Sequence, residues 1–490
     1  MLALREDTSG IRTLADVLTA ATGVSCDSRL ISFGNVFVAV RGFQDDGNSY
    51  ISEAISRGAS AIVTEQPLDI TPDIPLFVVD NARRSLAELC SLFYGHPGNS
   101  LRITGITGTN GKTTTAAMID SILKESGLRT GVIGTDKISI ADKTYYSYLT
   151  TPDPPTLQKH LYDMVKSNVT HVTMETSAQG LELDRVTYIP FHCGILTNIS
   201  PDHLDFYDSL NAYVQVKHRF LSILAPHAPL CVNADDPECM QIAAKYSGQI
   251  ITYGLKNIVN ITATKIINTA TGYSFNLQAD LPFLSWSHKC NLNVYGLHNV
   301  YNALAATAAC LVHKIPDDHI LKGLANFQGV ARRMQTSCFN GFTLVDDTAL
   351  NPGSLEAVFE AARHIPHRRM VLVVAIRGKR GPVINLINAA QIVKWHSCYA
   401  WDHVIVTSSR SHTDSHNDVT DEEATAFLTT LSQANIPFVH FHELPDAISF
   451  ALKQIKVNDL LVLLGAQGMD AGRSITDLLM ATHLTTGLSV

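Results

Sequence analysis

The stretch Gly105-Ile-Thr-Gly-Thr-Asn-Gly-Lys-Thr-Thr114 decides the fold of this chain. It follows an apolar run at 101–106, which is typical of a buried strand, and precedes a segment at 113–126 with helical periodicity. The backbone N–H groups of such a glycine-rich loop and the N-terminus of the next helix surround an anionic phosphate. Ile106 stands where the strict P-loop pattern has its first glycine. The order of strand, loop and Gly-Lys-Thr-Thr still predicts a nucleotide site.

Two side chains of this loop carry the chemistry. We expect Lys112 to place a positive charge near the β- and γ-phosphates, and the Thr113 hydroxyl to reach Mg²⁺. The other residues that we expect around the phosphates are Gly108, Thr109, Asn110, Gly111 and Thr114.

Short apolar strands alternate with helical stretches along the whole chain, which predicts α/β layers. With 490 residues, about three domains are expected. The turn-rich segment 96–99 and the segment 327–330 divide the chain. We therefore predict a small N-terminal α/β domain at 1–97, a central P-loop ATPase domain at 98–330 and a C-terminal Rossmann-like domain at 331–490. The predicted strands lie at 36–40, 61–64, 101–106, 171–174, 193–197, 230–232, 343–345, 370–374, 403–406 and 459–464, and the predicted helices at 51–58, 82–94, 113–126 and 299–312.

Composition excludes several other classes. The net charge of −8 argues against a nucleic-acid binder. Nine scattered cysteines without a CxxC pair indicate a reduced, cytoplasmic protein. No signal-peptide core and no run of 18 apolar residues occurs, so we expect no membrane insertion. We expect a cytoplasmic monomer.

Three further polar residues are candidates for the site. Glu175 ends a predicted strand, at the sheet edge where ligands gather in open α/β folds. His203 lies between carboxylates in Thr197-Asn-Ile-Ser-Pro-Asp-His-Leu-Asp205, where it is a plausible Mg²⁺ ligand. Lys217 lies on an amphipathic helix. Taken singly, Glu175 reads equally well as a solvated carboxylate, whereas His203 reads better as an ordinary loop histidine and Lys217 as a surface lysine.

Together these motifs resemble the Mur ligase family, and most of all its MurE-type synthetases. The resemblance covers nearly the whole chain, and its motifs follow in the family's order. They are GTNGKTT, Thr150-Thr-Pro-Asp153, Met174-Glu-Thr-Ser177, Thr197–Asp205, Tyr213-x₃-Lys217, Val232-Asn-Ala-Asp-Asp236, Gly296-x₂-Asn-Val-Tyr-Asn302 and Arg332-Arg-Met334. In the first block, Asp27-Ser-Arg29 and Phe37–Gly42 look like the UDP-sugar domain of that branch.

The resemblance implies an ATP-dependent ligase that activates a carboxylate as an acyl phosphate and joins it to an amine, releasing ADP and phosphate. Thr113 and Glu175 would hold one Mg²⁺. His203 and Lys217 would serve a second Mg²⁺, with Lys217 carbamylated by CO₂, because carbamylation turns a cation into an oxygen ligand. Lys112 would stabilise charge on the transferred phosphoryl group.

The resemblance also implies substrate contacts. Asn299 and Asn302 would face the adenine, and Arg333 and Asp347 would hold phosphate and ribose. The positions that match contacts to a UDP-muramoyl peptide are Ser28, Thr150, Thr151, Ser177 and Arg185.

The sequence departs from the family on the side of the incoming amine. The segment 407–412 reads Thr-Ser-Ser-Arg-Ser-His in place of Asp-Asn-Pro-Arg, although Arg410 is near. The terminal Gly-His-Glu becomes Gly468-Met-Asp470, whose carboxylate is a candidate partner for the ammonium, or a helix cap. The basic loop 376–382 could meet phosphate or carboxylate, or be solvated. We predict an amino acid other than the two common ones.

Two alternatives remain open at this stage. Asn48, Ala178, Gln179 and Leu183 depart from the family on the acyl-substrate side, which favours the same chemistry on a non-murein scaffold in specialised metabolism. A non-catalytic nucleotide-binding protein is the other, although such a protein would not need Lys112, Glu175, His203 and Lys217 together.

Overall fold

The strands form three separate sheets, one in each third of the chain. The structure, a computed structural model, describes residues 13–42, 45–67, 73–201, 207, 209–339, 341–349, 351–399, 401 and 403–486. The predicted α/β class with three layered units is confirmed. All the predicted strands and helices are present, with ends that differ by one or two residues. None of the helices in these ranges is both long and apolar enough to cross a membrane.

The first sheet has four parallel strands in the order β1-β2-β3-β4. Strands β2 and β3 are buried along their whole length, as expected of parallel strands that are covered on both faces. The elements are α1 (Leu14–Ala20), β1 (Gly23–Ser25), β2 (Asn35–Val38), α2 (Ile51–Ser56), β3 (Ala61–Thr64), β4 (Leu76–Val78) and α3 (Ala82–Phe93).

The second sheet has eleven strands. The strands are β5 (Arg102–Thr107), β6 (Thr130–Ile133), β7 (Lys137–Ile140), β8 (Lys143–Tyr146), β9 (His171–Glu175), β10 (Phe191–Leu196), β11 (Leu230–Asn233), β12 (Ile250–Gly254), β13 (Ile261–Thr269), β14 (Gly272–Leu281) and β15 (Leu284–Leu292). The helices are α4 (Lys112–Glu125), α5 (Pro154–Lys166), α6 (Ala178–Glu182), α7 (Leu210–His218), α8 (Pro237–Ala243), α9 (Leu297–Val312) and α10 (Asp317–Ala325).

The order of this sheet, β15-β14-β13-β12-β11-β10-β5-β9-β6-β7-β8, places β5 between β10 and β9. These three strands are parallel, so their carboxyl ends meet at one edge. The phosphate loop, Glu175 and Thr197 follow these ends. The antiparallel extensions β7–β8 and β13–β15 were not predicted, because strands such as β15 alternate between exposed and buried residues and contain no long apolar run.

The third sheet has six strands in the order β16-β17-β21-β18-β19-β20, and only β16 is antiparallel to its neighbour. The strands are β16 (Gln335–Phe339), β17 (Phe342–Asp347), β18 (Met370–Ala375), β19 (His403–Thr407), β20 (Phe438–Phe441) and β21 (Leu460–Leu464). The helices are α11 (Pro352–Ala362), α12 (Pro382–Tyr399), α13 (Asp421–Gln433), α14 (Leu444–Gln454) and α15 (Gly472–Thr486).

Candidate functional site

A cavity of about 400 Å³ lies between the carboxyl edges of the second and third sheets. From the second sheet it is lined by the phosphate loop and by residues that follow β6 and β9. From the third sheet it is lined by residues that follow β17, β18 and β21. Ligands bind outside the carboxyl ends of strands in open α/β sheets, and here two such edges share one cavity.

The phosphate loop lies between β5 and α4, in the order that the sequence predicted. Gly108 and Gly111 have φ values of +147° and +87°, which residues other than glycine rarely adopt. A Cβ atom on Gly108 would lie 1.9 Å from Thr197 Oγ1. The segment after β10 fixes the loop, because Thr109 N donates to Asn198 O at 2.7 Å and Asn110 N donates to Asn198 Oδ1 at 3.0 Å.

The two predicted catalytic lysines meet at this loop. Lys112 Nζ donates to the carbonyl oxygens of Gly108 (2.9 Å) and Thr109 (2.8 Å). Lys217 Nζ donates to the Gly108 oxygen at 3.0 Å and lies 4.6 Å from the centre of the Tyr213 ring. Lys217 is only 1% exposed. The reading of Lys217 as a surface lysine was wrong, because its helix α7 packs this face against the loop rather than facing solvent.

Glu175 is also buried, at 1% exposure, so its reading as a solvated carboxylate was wrong as well. Its Oε1 accepts from Thr135 N and its Oε2 from Thr135 Oγ1, both at 3.0 Å. Gly134 makes room for it, since a Cβ there would lie 2.3 Å from Glu175 Oε1. Each carboxylate oxygen keeps a lone pair for a further partner.

Four of the five predicted contacts of the acyl substrate, Thr150, Thr151, Ser177 and Arg185, belong to one hydrogen-bonded group. Thr151 Oγ1 donates to the Glu175 carbonyl at 2.9 Å and accepts from Ser177 N at 2.9 Å, and Arg185 donates to the Thr151 carbonyl at 2.8 Å. Thr150 approaches Thr135 through their hydroxyls at 3.1 Å. Thr150, Ser177 and Arg185 line the cavity, whereas Thr151 is fully buried behind them.

A second cavity of about 280 Å³ adjoins the loop and the first turn of α11. Asn302 lines it, but Asn299 lies behind, where its Oδ1 accepts from Asn302 Nδ2 at 3.0 Å and its Nδ2 donates to Tyr295 O at 2.7 Å. Asn299 therefore orients Asn302 and does not contact the cavity itself.

Arg333 and Asp347 line both cavities. Arg333 donates to Thr348 and approaches Asp136 at 3.8 Å. Asp347 accepts from Met334 N at 2.6 Å. Burial raises the pKa of the Asp347 carboxyl to about 6, although the Arg333 charge and the Met334 amide act in the opposite direction.

Besides Thr151 and Asn299, four predicted site residues line neither cavity among the described residues or cannot be placed. Ser28 lies in the first domain, where it donates to Glu53 at 2.7 Å. Arg410 is exposed, with Asp421 at 3.9 Å. The Asp470 carboxylate pairs with Arg332 rather than facing the cavity. His203 lies outside the described residues.

Sequence reasoning missed other residues of the wall, namely Thr135, Tyr148, Leu149, Tyr207, Asn351 and Gln467. Thr135 and Gln467 follow the carboxyl ends of β6 and β21, so the sheet-edge rule would have found them once those strands were recognised. Asn351 and Tyr148 carry no such signal, because only the packing of the third sheet and the β8 edge brings them to the cavity.

Fold and cavity define a P-loop protein built of three α/β units. Comparison with known proteins specifies the class further. Residues 20–94 match the catalytic domain of the Mur ligase family, residues 106–310 the Mur ligase middle domain, and residues 332–467 the Mur ligase glutamate ligase domain.

Relatives match over most of the chain. The UDP-N-acetylmuramoyl-L-alanyl-D-glutamate–2,6-diaminopimelate ligase of Geobacillus kaustophilus is 32% identical over 447 residues, which are 90% of this chain and 88% of the relative. The enzyme of the same name from Bacillus licheniformis is 35% identical over 366 residues, 73% of this chain and 74% of the relative.

Among solved structures, one of a 2,6-diaminopimelate ligase matches with a TM-score of 0.65 and 23% identity, covering 94% of this chain and 95% of the other. The MurF ligase of Thermotoga maritima in complex with ADP matches with a TM-score of 0.69 and 18% identity, covering 96% and 99%. The chain belongs to the Mur ligase family, and within it the sequence resembles the MurE-type branch.

Proposed function

We propose that this protein adds an amino acid to the carboxylate of a UDP-N-acetylmuramoyl peptide. It is an ATP-dependent, ADP-forming ligase that works through an acyl phosphate. The observation that carries the proposal is the single cavity in which the phosphate loop, the Glu175 group and the arginines of the third sheet meet. The relatives, which are named for a UDP-muramoyl substrate and match 73% and 90% of the chain, favour this scaffold over a non-murein one.

The reaction needs two bond-forming steps in one place. The substrate carboxylate attacks the γ-phosphorus of ATP, and ADP leaves with the electrons of the broken P–O bond. The amine then attacks the acyl carbon, a tetrahedral intermediate forms, and phosphate leaves as the amide is completed and a proton is lost. Holding three reactants in one cavity supplies much of the acceleration, because it removes the entropic cost of their encounter.

We assign the anionic groups of the reactants to different cationic side chains of the cavity. Among the described residues that line the cavity, six are cationic and two are carboxylates. The loop amides and Lys112 receive the triphosphate, with Lys112 leaving its two loop carbonyls for phosphate oxygens. Arg333 and Asp347 bind phosphate and ribose, and Asn302, held by Asn299, faces the adenine. The cationic residues are Lys112, Arg185, Lys217, Arg333, Arg377 and Arg380.

The donor set around Glu175 fits magnesium. The Thr113 hydroxyl and the Glu175 carboxylate are oxygen donors, which a hard cation prefers, and no cluster of three His, Cys, Asp or Glu side chains that would form a closed metal cage occurs in the described ranges. Bound there, Mg²⁺ would neutralise charge on the phosphates. Thr113 and Glu175 would hold one ion, and His203 and Lys217 a second.

Lys217 is suited to carbamylation. Its amine is buried at the loop, in a cavity that also takes the reactants, and the neutral amine is the form that reacts with CO₂. In that reaction the ammonium first loses a proton, the neutral nitrogen forms an N–C bond to CO₂ as one C=O π bond breaks, and a second proton leaves, so that a carbamate anion replaces the cation. The carbamate oxygens would then enter the cavity that Lys217 lines.

The acyl substrate is assigned to the neighbouring wall. Thr150, Ser177 and Arg185 contact it, supported from behind by Thr151, and Ser28 in the first domain binds the UDP end. We assign residues 1–97 to this substrate, 98–330 to ATP and 331–490 to the amino acid. Arg410 and Asp470 are the residues that we predict for the amine, and Arg377 and Arg380 of the third domain line the cavity as well.

A substrate screen tests the proposal. ADP release is measured with UDP-muramoyl dipeptide as the acceptor and meso-diaminopimelate, L-lysine and the other amino acids as amines. We expect release with one amino acid that is neither of the first two, given the altered segment 407–412. No release with any amine would reject the ligase and favour a nucleotide-binding protein without catalysis.

A further inference from the structure

Two basic side chains lie at the amino-terminal edge of the second sheet, at the opposite end of its central strands from the phosphate loop. Arg102 is the first residue of β5, and His171 is the first residue of β9. The two residues are partners in the register of these parallel strands, so they are neighbours at this edge. Strand β5 extends from Arg102 to Thr107, and at about 3.3 Å per residue this edge lies about 17 Å from the start of the loop.

A β-bulge adds a second imidazole to this edge. The register of β10 against β5 shifts between Phe191 and Cys193, so His192 is the extra residue. The N–H group of Ile103 donates to Nδ1 of His192 at 3.3 Å, which fixes the ring beside the start of β5. Bulges turn a side chain away from its place in the regular strand, and they are frequent next to functional sites.

A third imidazole, that of His313 directly after α9, holds the His171 ring in place. The two rings meet edge to face, with centroids 5.2 Å apart and planes at 84°. His313 is itself fixed, because its Nε2 lies 2.7 Å from the Thr104 hydroxyl. Nδ1 of His171 lies 2.9 Å from the Thr170 hydroxyl, whereas its Nε2 makes no hydrogen bond with any residue that the structure describes. This nitrogen is therefore available to an external partner.

The positive charge of Arg102 is not balanced by an anion in the described part of the chain. Its side chain is exposed and pairs with no carboxylate there. Burial lowers the pKa of all three imidazoles, and the charge of Arg102 acts on each in the same direction.

The carboxylates of two neighbouring elements already have cationic partners. Asp120 of α4 pairs with Lys124 at 2.8 Å. Asp142, in the turn between β7 and β8, pairs with Arg129 at 3.6 Å. The whole chain has a net charge of −8, so a group of basic side chains without a carboxylate is a local feature and not a consequence of composition.

We propose that Arg102, His171 and His192 bind a dianionic phosphoryl group at this edge of the second sheet. The planar fork of a guanidinium matches two phosphate oxygens, and each imidazole can donate to a further oxygen. A dianion suits the site better than a carboxylate, because three basic groups offer more positive charge than one negative charge neutralises. The ligand is a free phosphate ion or the phosphate ester of a small metabolite, which share this chemistry. The inference goes beyond the proposed ligase function and does not depend on it, since the site is separate from the nucleotide cavity.

The first test is an NMR titration of the full chain with isotope-labelled histidine rings. Inorganic phosphate is added at constant pH and ionic strength, and sodium chloride in its place is the control. The signals of His171 and His192, assigned from His171→Gln and His192→Gln, should move together along one saturating curve. The signal of His416, an exposed histidine of the third domain, should not move. Equal movements with phosphate and with chloride would overturn the site.

The second test measures the contribution of Arg102 to the same site. Arg102→Gln should raise the Kd for phosphate about tenfold or more, because a charge-assisted, bidentate contact is lost. Arg102→Lys keeps the charge without the planar fork, so its Kd should lie between those of the wild type and Arg102→Gln. Arg129→Gln is the matched control at a nearby exposed arginine, and its Kd should stay within about twofold of the wild-type value. A Kd for Arg102→Gln equal to the wild-type value would overturn the site, and the wild-type titration remains a test even if no variant of Arg102 folds.

A second probe, glycerol 3-phosphate, distinguishes the two sources of the ligand. Saturation by both probes would show that the phosphoryl group is recognised in an ester as well, and saturation by inorganic phosphate alone would identify the free ion, so both results support the site. Phosphate binding that Lys112→Ala abolishes and Arg102→Gln preserves would assign the ion to the phosphate loop and overturn the inference. None of these measurements needs turnover, so the inference can fail while the ligase stands, and the ligase can fail while the inference stands.

Discussion

Lys112 and Lys217 donate to the same atom, the carbonyl oxygen of Gly108, at 2.9 and 3.0 Å. Their ammonium nitrogens are therefore within about 6 Å of each other in a partly buried loop, where like charges repel strongly. A triphosphate relieves the repulsion by drawing Lys112 away. The carbamylation proposed above would relieve it by converting Lys217 into an anion.

Lys217→Ala should lower kcat by about three orders of magnitude, because it removes a charged group from the reacting phosphates. Acetate in the assay should restore part of the activity, since a small carboxylate can occupy the space of the carbamate. Steady-state ADP release with and without acetate checks this. Lys245→Ala, at an exposed position, is the control. Full activity of Lys217→Ala would reject the carbamate.

Lys112→Ala should abolish measurable turnover, because one oriented charge on the transferred phosphoryl group contributes several kcal/mol to catalysis, about 10²–10³-fold or more in rate. Lys112→Arg keeps the charge but not the compact ammonium, so we expect little recovery. Single-turnover formation of ADP is the measurement, with Lys124→Ala, whose lysine pairs with Asp120 on the far part of α4, as the control. Turnover near the wild-type rate would remove Lys112 from the mechanism.

The phosphate loop and the fold around it were predictable because each motif is local. Strand, glycines and Lys112 lie within ten residues, and parallel strands impose one common edge. The burial of Lys217 and Glu175 was not predictable from their own segments, since both depend on packing against Gly108 and Gly134. Only the resemblance to a family pointed to them.

The part of the cavity wall that the third sheet supplies was still harder to predict from the sequence. The Glu423 carboxylate accepts hydrogen bonds from the backbone amides of residues 379–381, which lie more than forty residues earlier in the chain. Its sequence context indicates only a capping box at the start of a helix. Asp470 shows the same dependence on packing. Its place after the last strand suggested a partner for the ammonium of the amine or a helix cap, and the structure pairs it with Arg332, far away in sequence.

Asp347 should make nucleotide binding sensitive to mild acid. Its pKa of about 6 lies above the ordinary value, so the carboxylate is present above pH 6 and is lost as the pH falls below it. KM for ATP should rise by up to about tenfold per unit below pH 6, because the ionised carboxylate accepts hydrogen bonds from hydroxyls more strongly. Asp347→Asn should have a high KM at pH 8 that changes little with pH.

The raised pKa of Asp347 also predicts an effect on stability. At high pH the ionised carboxylate favours nucleotide binding but destabilises the folded protein. A carboxyl whose pKa is raised by folding destabilises the folded protein above its unfolded pKa, because ionisation is easier in the unfolded chain. Asp347→Asn should therefore raise the thermal midpoint at pH 8 and have less effect near pH 4. A lower midpoint at pH 8 would contradict the buried, ionised state. Differential scanning fluorimetry across pH measures this.

His313 should make the central domain sensitive to acid. Burial, reinforced by His171, Arg102 and His192, lowers the pKa of His313 to about 3, and its Nε2 is 2.7 Å from Thr104 Oγ1. In the unfolded chain the His313 imidazole binds a proton near pH 6.5, whereas in the folded protein it stays neutral at that pH. Stability is thus complete above pH 6.5 and falls by up to about 1.4 kcal/mol per unit below it.

The variant His313→Gln keeps a hydrogen-bond partner for Thr104 but has no side chain that binds a proton in this pH range. Its thermal midpoint should fall less than that of the wild type between pH 7 and pH 5. His416→Gln, at an exposed position, should leave the wild-type pH dependence in place. Equal slopes for wild type and His313→Gln would show that His313 does not control acid stability.

Variants of Asn110 and Asn351 should test whether the third domain closes over ATP. Asn110 Nδ2 donates to Asn351 Oδ1 at 3.4 Å, and Asn351 Nδ2 donates to Asn110 Oδ1 at 3.3 Å, so the phosphate loop is bonded to the start of α11. Asn351 also caps that helix through Ser354. Asn110→Ala removes the pair alone, whereas Asn351→Ala removes the pair and the cap.

Both variants should raise KM for ATP by a similar factor of about three to ten, because each loses the same contact across the domain boundary. Only Asn351→Ala should also lower the thermal midpoint, since losing an N-cap costs about 1 kcal/mol. Small-angle scattering should show the wild type becoming more compact with ATP and acceptor, and Asn110→Ala doing so less. Identical wild-type profiles with and without these substrates would mean that closure does not follow binding, and a KM effect confined to Asn351→Ala would assign it to the helix cap instead of the pair.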